Sequence, residues 1–455
     1  MTGTAGIFDR LASWATGRPT RHSAAVLELA TTLLAKGQAV EAAAWCERVL
    51  RDDPDHADAL LLLVEIGVTR GDWDGALRAL SRLRAANPGD AGTIERMASG
   101  FRRAGDPDQA ADLLHAALRR QPASAVLLCE LGDAEAARGR FSEALAAYEG
   151  ALAATPGKSR TATQRAILVL RQSWGPPGAA PADKRQPPRL DGRVMCSELG
   201  TRGRFGSQLA QYMAVRICGH LYGLRVEVPE WVGRWLFDLD DPYPGAALPD
   251  QCDSELLKQK LFEGTARQFV AEHDLSGLFF VHTSRYRPHR PFIQTLFRPG
   301  ERATPVVNDL YARLRQRGGT VIALHLGRGN ESMGATPLSW CIAWLDTVWR
   351  TVDAPVLYLA GDRHDAEAFK AFAPVRADEL GVGVPGAAFF TDFHVFTQAD
   401  LVAISGSSDA FVASMLNRTA RDFVRPDPVE RRLVSYDPWD APLWQRDAGK
   451  ASVPP

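Results

Sequence analysis

The sequence predicts an array of paired α-helices followed by an α/β domain. The first observation is a period of 34 residues that two residue types keep, namely Pro54, Pro88, Pro122 and Pro156, and Gly37, Gly71, Gly105 and Gly139. A fixed period of this length is typical of helical repeat arrays. The second observation is a change after residue 190 from alanine-rich helical patterns to β-branched runs that alternate with helices. That alternation is typical of α/β domains.

Composition limits the class of protein. A chain of 455 residues is too long for one core, so two or three domains are expected. The 53 basic and 54 acidic residues nearly balance, which argues against nucleic acid or an anionic membrane as the main partner. The six cysteines form no CxxC pair and no cluster with histidine, so neither a zinc site nor a disulfide framework is expected.

Two features of the sequence bear on location. The first 22 residues lack the apolar segment of a secretory signal. The most apolar stretch, residues 59–68, is far shorter than the roughly 20 residues that span a bilayer. We therefore expect a soluble, cytoplasmic protein with no transmembrane segment, which could be peripheral to a membrane through its partners.

The helical repeats show a third periodic residue. An alanine follows each periodic glycine by five residues, and these alanines are Ala42, Ala76, Ala110 and Ala144. The combined pattern resembles the tetratricopeptide repeat, in four copies from about residue 22 to residue 156. The resemblance implies a surface that binds a protein partner. We expect a capping helix at 159–174 to cover the last repeat, which gives a first domain of 22–174.

A linker and an α/β domain follow the repeats. Residues 175–190 contain five prolines and are predicted to be the linker. The second domain is predicted at 191–440, with a helix at 208–222. Its strands are predicted at 193–199, 224–228, 320–327, 355–361 and 399–405. Such strands form a parallel sheet whose carboxyl ends carry ligand-binding loops.

The first candidate site segment is the glycine-rich stretch from Gly200 to Gln208. It joins a predicted strand to a predicted helix, so the free N–H groups of the helix start can attract a phosphate. Gly206 and Ser207 lie at this start, and Arg202 and Arg204 add positive charge. An ordinary glycine-rich turn without a ligand is the alternative.

The second candidate segment is the end of the strand at 320–327. Arg328 follows this strand, and its planar guanidinium can bind a diphosphate through two hydrogen bonds. Asn330 lies two residues further on. His325 alternates with the apolar residues of the strand, so a hydrogen-bonded core histidine is the alternative to a ligand-binding one.

The third candidate segment follows the strand at 399–405. Ser405 ends that strand, and Ser407, Ser408 and Asp409 lie where a helix is predicted to begin. Hydroxyl groups and helix N–H groups would converge there on a phosphate. The alternative is that these residues only cap the helix.

Together and in this order, the three segments resemble the α-1,2-fucosyltransferase family and its α-1,6- and protein O-fucosyltransferase relatives. The family has an early G-x-x-G-N-Q loop, a strand ending in H-x-R-R-x-D and a late S-N-S-S-F-S-like helix start. The counterparts here are Gly203 to Gln208, His325 to Asn330, and Ser405 to Phe411. This chain departs from the family at Ser207, Gly327 and Asn330, so one of two arginine forks is absent.

The resemblance implies a GT-B-like domain with two Rossmann-like halves. It also implies metal-independent, inverting transfer of fucose from GDP-fucose, which is a substrate rather than a cofactor, to a glycan or protein acceptor. Arg328 would then hold the diphosphate, and Glu198 is the candidate general base. The departures leave open a non-catalytic scaffold with a degenerate nucleotide-sugar site.

One acidic segment suggests a different chemistry. Asp238 and Asp240 have the D-x-D spacing with which many metal-dependent glycosyltransferases bind a cation. The segment precedes a loop rich in proline and glycine and lacks an obvious preceding strand. These features favour a surface turn.

We predict that limited proteolysis of the full chain cuts first within residues 175–190. The reason is that this segment has little apolar material to bury, so the two domains should fold separately. Mass spectrometry of the first fragments would identify the cleavage site. First cleavage inside residues 200–430, with the linker intact, would contradict the domain division.

Overall fold

The computed structural model describes most of the chain in two compact units. The described residues are 19–35, 38–70, 72–86, 91–103, 105–155, 159–175, 191–201, 203–252, 257, 260–327, 336–361 and 366–442. The first unit comprises residues 1–158 with 247–250, and the second comprises 159–246 with 251–455.

The first unit is helical, as predicted. Its described helices are α1 (Pro19–Ala35), α2 (Ala39–Asp52), α3 (Ala57–Arg70), α4 (Trp73–Ala86), α5 (Ala91–Arg103), α6 (Pro107–Leu118), α7 (Ala125–Ala137) and α8 (Phe141–Ala154). They form four successive pairs whose period matches that of the prolines and glycines. The prediction that the N-terminal region is an array of paired helices is confirmed.

The periodic alanines and two of the periodic glycines have the physical roles that the pattern predicts, whereas Gly37, Gly71, Pro88 and Pro156 lie outside the described residues. Gly105 and Gly139 adopt positive φ angles of 79° and 75° at the turns between paired helices, a conformation that costs glycine little. The alanines at 42, 76, 110 and 144 are all fully buried. Each therefore lies where two helices pack closely.

The closest approach within the last helix pair depends on Gly132 of α7. A Cβ atom at this position would lie within 2.8 Å of the ring of Tyr148 on α8. The Tyr148 hydroxyl donates a hydrogen bond to Asp133 Oδ1 at 2.7 Å. This hydrogen bond holds the tyrosine ring in contact with Gly132.

The second unit contains two β-sheets. The first has the strand order β2-β1-β4-β3, with β1 (Arg193–Met195), β2 (Arg225–Glu227), β3 (Asp250–Cys252) and β4 (Asp274–Ser276). The second has the order β6-β5-β7-β8-β9, with β5 (Thr320–Leu326), β6 (Pro355–Gly361), β7 (Leu401–Ala403), β8 (Asp422–Asp427) and β9 (Arg432–Ser435). Strands β6, β5, β7 and β8 run parallel, whereas β9 is antiparallel to β8.

Helices separate and cover these sheets. They are α9 (Ser159–Trp174), α10 (Phe205–Tyr222), α11 (Val232–Leu236), α12 (Arg267–Val270), α13 (Arg290–Leu296), α14 (Ala303–Arg315), α15 (Leu338–Trp349), α16 (Ala388–Gln398) and α17 (Ser408–Leu416). The central strand β5 is buried on both faces: Val321 and Ala323 join one core, and Ile322 and Leu324 join another. This explains its continuous apolar sequence, which is typical of a covered parallel strand.

Several element bounds differ from the sequence-based ones. The first strand ends at Met195 rather than at residue 199, because residues 197–201 form a turn. Helix α10 begins three residues earlier than predicted, at Phe205, and thereby includes Gly206 and Ser207. The later strands at 320–326 and 355–361 match the prediction closely.

Helix α9 differs from the expectation in its packing. We expected this helix to cap the repeats, yet its buried residues Ala166, Ile167 and Leu170 belong to the core of the second unit. The Gln164 Nε2 also donates to the Gly200 carbonyl oxygen at 3.1 Å. The division between the units therefore falls at 158/159 rather than in the proline-rich segment, whose residues 176–190 lie outside the described residues.

We predict that Gly132→Ala lowers the free energy of unfolding by about 1–2 kcal/mol, because the methyl group overpacks against Tyr148. Gly150→Ala on α8 is the matched control, since a Cβ there meets only Leu128 at an ordinary 3.5 Å. The control should be neutral or stabilising by up to about 1 kcal/mol through helix propensity. Urea unfolding followed by circular dichroism measures both, and equal effects would contradict the packing argument.

Candidate functional site

Two segments that are distant in sequence meet at the carboxyl ends of β5 and β7. His325, near the end of β5, lies 2.7 Å from the Ser405 Oγ through its Nδ1. Its ring also contacts the edge of Phe396 on α16, with the centroids 6.2 Å apart. Burial, assisted by the charge of Arg204, lowers the pKa of His325 to about 4. The imidazole is therefore neutral at physiological pH.

A second long-range contact joins the starts of two helices. The Gly206 backbone N–H, in the first turn of α10, donates to the Asp409 Oδ1 at the start of α17. A Cβ at Gly206 would lie only 2.5 Å from the Asp409 nitrogen and 2.6 Å from the Ser408 oxygen. Only glycine allows this approach. The helix start that we expected to bind a phosphate thus binds a carboxylate of the same chain.

Two opposing effects act on the pKa of Asp409. Burial raises the pKa of the Asp409 carboxyl, whereas the Gly206 N–H and the Arg204 guanidinium work in the opposite direction. Both partners stabilise the charged form. Arg204 therefore influences both His325 and Asp409 electrostatically.

Arg204 is the exposed cation of this region. It precedes the first residue of α10, and its side chain does not cap the helix. Within the described part of the chain, Arg204 forms no ion pair or hydrogen bond through its guanidinium. No group among the described residues occupies the donors of this guanidinium. We name Arg204, Gly206, His325, Ser405 and Asp409 the strand-end cluster.

The other serines support the two helix starts. The Ser407 Oγ accepts the Ala410 N–H at 3.5 Å, so Ser407 caps α17 as the alternative interpretation has it. Ser408 is buried beneath Gly206. Ser207 is also buried and packs against Gly203, whose φ is 71°.

The remaining predicted site residues are not all brought into this cluster. Glu198 lies in the turn after β1 instead of at the strand end, because the strand is shorter than predicted. Its carbonyl oxygen accepts hydrogen bonds from Thr201 at 3.0 Å and 2.7 Å. Arg328 and Asn330, like Arg202, lie outside the described residues.

A half-buried acidic group near the cluster was missed in the sequence analysis. Asp392, on α16, accepts a hydrogen bond from the Tyr358 hydroxyl at 2.5 Å. Burial raises the pKa of Asp392 to about 6, and the charge of Asp409 contributes to the rise. Its position in an apolar helix, between Thr391 and Phe393, was the only signal in the sequence.

Arg376 lies at the end of β6, and its charge acts on Asp392. Its Nη2 donates to the Gly361 carbonyl oxygen at 3.0 Å, and its Nε lies 3.9 Å from the Asp378 carboxylate. The buried Nε and Nη1 have no hydrogen-bond partner in the described residues. The carboxyl end of this sheet therefore carries a second arginine.

The D-x-D segment has structural roles in the fold. The Asp238 Oδ2 accepts the Glu301 N–H at 2.6 Å, and residue 238 lies in a turn with a φ of 48°. The adjacent Asp241 is buried, pairs with Arg216 and accepts the Tyr212 hydroxyl at 2.6 Å. In the parts of the chain that the structure describes, no three acidic, histidine or cysteine side chains are grouped as metal ligands.

Comparison with known families identifies the first unit only. Residues 17–92 and 96–159 match the tetratricopeptide repeat family. The N-terminal region therefore consists of tetratricopeptide repeats, a class of array whose extended surfaces bind other proteins. No curated protein matches the chain.

Solved structures resemble about a third of the chain. MamA 41-end from Desulfovibrio magneticus RS-1 is 16% identical over 34% of this chain and 86% of its own, with a TM-score of 0.29. PilF of Pseudomonas aeruginosa is 18% identical over 34% and 70%, with a TM-score of 0.30. A thermophilic tetratricopeptide protein of Thermus thermophilus is 25% identical over 33% and 83%, with a TM-score of 0.27. At these scores the likeness carries no argument about function.

Among the helices that the structure describes, none is both long enough and apolar enough to span a bilayer.

We predict that Asp392→Asn stabilises the protein more at about pH 7.5 than at about pH 4.5. The folded carboxyl holds its proton up to about pH 6, against an ordinary value of 3.8, so ionisation costs folded-state stability as the pH rises through this window. Between these two pH values the difference should be about 2 kcal/mol. Asparagine does not ionise and keeps an oxygen for the Tyr358 hydroxyl.

Urea unfolding of the full chain at both pH values measures this difference. Asp346→Asn, at an exposed position on α15, is the control for a change of surface charge. A stability difference between Asp392→Asn and the wild type that does not vary with pH would contradict the burial argument.

Proposed function

We propose that the second unit is a nucleotide-sugar-dependent glycosyltransferase that binds its donor at the strand-end cluster, and that the tetratricopeptide repeats recruit a protein partner or acceptor. From the family resemblance, the proposed donor is GDP-fucose and the proposed acceptor is a glycan or protein. The proposal includes a GT-B-like arrangement of the two sheets.

The observation that carries the proposal is the convergence of the three motif segments. Gly206 contacts Asp409 across 203 residues of sequence, and His325 contacts Ser405 across 80. If each motif were an ordinary turn or helix cap, the three would not be expected to lie together. They nevertheless share one location. That location follows parallel strands, where α/β proteins commonly bind ligands.

The charges of the cluster suit a diphosphate leaving group. Cleavage of a sugar-diphosphate bond leaves negative charge on the nucleotide, and preorganised donors stabilise that charge as it develops. Arg204 offers an uncommitted guanidinium, and its field also reaches His325 and Asp409. Arg328 is the second proposed contact, on the strength of the sequence motif alone.

The proton of the acceptor hydroxyl requires a base or a tightly held acceptor. Glu198 is the proposed base, because the turn that holds it directly follows β1 and leads into the glycine-rich stretch. In the proposal the reaction needs no metal ion. Asp238 and Asp240 are the residues to examine if a chelator abolishes activity.

A second candidate function rests on the Gly206–Asp409 contact. A helix start whose N–H already binds a half-buried carboxylate offers less to a phosphate. The second unit would then be a degenerate, non-catalytic partner of the repeats, and the protein would act as an interaction scaffold. The tetratricopeptide repeats suit both candidates.

The full chain is incubated with a panel of nucleoside-diphosphate sugars, with cell extract as the source of acceptor. We predict that it releases nucleotide from GDP-fucose. Nucleotide release and calorimetric titration with GDP and UDP are the two measurements. If no donor releases nucleotide and neither GDP nor UDP binds, the interaction scaffold is the favoured function.

Four variants test the site within the same experiment. Arg204→Gln should weaken GDP binding about tenfold or more by removing a charged donor, and Arg350→Gln, exposed just after the end of α15, is its control. Arg328→Ala should impair binding more than Arg328→Lys, which keeps the charge but loses the planar fork. Unchanged affinity in both Arg204→Gln and Arg328→Ala would overturn the site.

Gly327→Arg restores the arginine that the family resemblance leads one to expect. A Cβ at this position would lie 2.6 Å from the Ser405 Oγ, which is bound to His325. We therefore expect this variant to disturb the strand-end cluster and weaken GDP binding rather than tighten it.

A further inference from the structure

A separate cavity of about 290 Å³ lies along helix α16 and beside the end of α17. Its wall includes Thr397 and Gln398 at the end of α16, Leu416 at the end of α17, and the segment 297–299 after α13. No residue of the strand-end cluster lines it, and Asp409 lies at the opposite end of α17 from Leu416. The cavity therefore belongs to a different place in the fold from the proposed donor site.

Aromatic rings form the apolar wall of the cavity. Phe237 packs edge-on against Phe297 and Phe390, with ring centroids 5.3 Å and 5.4 Å apart. Phe390 in turn stacks with Phe393 at 6.1 Å. Because the rings hold one another in the core, this wall is preformed and suits a flat apolar body.

Two arginines give the cavity its charge. Arg298 and Arg418 line it and are exposed, and within the described residues neither forms an ion pair or a hydrogen bond through its side chain. No acidic side chain lines the cavity in the part of the chain that the structure describes. In a chain with balanced charge, an unopposed pair of guanidinium groups marks a local preference for an anion.

The neutral polar residues of the wall are largely held in place. Thr397 donates to the His394 carbonyl oxygen at 2.7 Å, and Thr419 donates to the Gln398 carbonyl oxygen at 3.1 Å. The His394 ring is almost completely buried, and that burial lowers its pKa to about 4, so it adds no positive charge. Gln294 also lines the cavity, and its buried Nε2 has no hydrogen-bond partner in the described residues.

We infer that this cavity is a second ligand site, which binds a small organic anion with an aromatic body. The aromatic part would pack against the phenylalanine rings, and the carboxylate or phosphate would contact Arg298 and Arg418. The volume is near the lower end for small-molecule pockets and far exceeds that of a single water molecule. This inference is independent of the proposed glycosyl transfer.

Calorimetric titration of the full chain with phenyl phosphate tests the inference. Benzyl alcohol is the matched neutral ligand, and inorganic phosphate is the anion without an aromatic body. We expect one equivalent of phenyl phosphate to bind at least tenfold more tightly than either. Equal binding of benzyl alcohol, equal binding of inorganic phosphate, or no binding of phenyl phosphate would overturn the inference.

Variants locate the binding. Arg298→Gln and Arg418→Gln should each weaken phenyl phosphate binding about tenfold by removing a charge-assisted contact, and Arg350→Gln should not. Thr397→Phe should block the cavity without changing its charge. Persistent binding in Thr397→Phe and in both arginine variants would overturn the assignment.

A competition arm distinguishes the two sites. Saturating GDP should leave phenyl phosphate binding unchanged, and Arg204→Gln should do the same. Loss of phenyl phosphate binding in either case would assign the ligand to the strand-end cluster and overturn a second site, whether or not the proposed transferase activity is found.

Discussion

The contact between the first turn of α10 and the start of α17 is the constraint on which the second unit depends. Gly206 has no Cβ, so its backbone reaches the backbone of Ser408 and donates to the Asp409 carboxylate. Any larger residue would force the two helix starts apart. Because α10 packs on β1 and α17 follows β7, this one contact joins elements of both sheets.

Burying a carboxylate at that junction costs free energy unless it is hydrogen-bonded or paired. The Gly206 N–H, the positive end of α10 and the Arg204 guanidinium all offset this cost. Asp392 lies near enough to sense the Asp409 charge and accepts a hydrogen bond from Tyr358. The pKa values of both carboxyls are raised, and Arg376 and Arg204 act against the rise at Asp392 and Asp409, respectively. Titratable groups with shifted pKa values are more common at functional sites than in a simple core.

The acidic segment at 238–241 shows why short motifs are ambiguous. Its D-x-D spacing is compatible with metal binding, yet Asp238 accepts a backbone N–H, and Asp241 forms a buried pair with Arg216. Removing one partner of such a pair leaves an uncompensated buried charge, which is strongly destabilising. The spacing alone could not distinguish a ligand from a structural carboxylate, because both roles use the same oxygens.

The sequence by itself determined the helical repeats and, in the second unit, the positions of β1, β2, β5, β6 and β7. It missed β3, β4, β8 and β9. Repeat helices pack mainly against their neighbours in the chain, so the periodic alanines and glycines carry the necessary information locally. It could not determine that α9 joins the second core, nor that Asp392 lies beside Asp409. Only the tertiary structure decided these points and the pairing of Gly206 with Asp409, because contacts between residues so far apart depend on how whole sheets and helices pack.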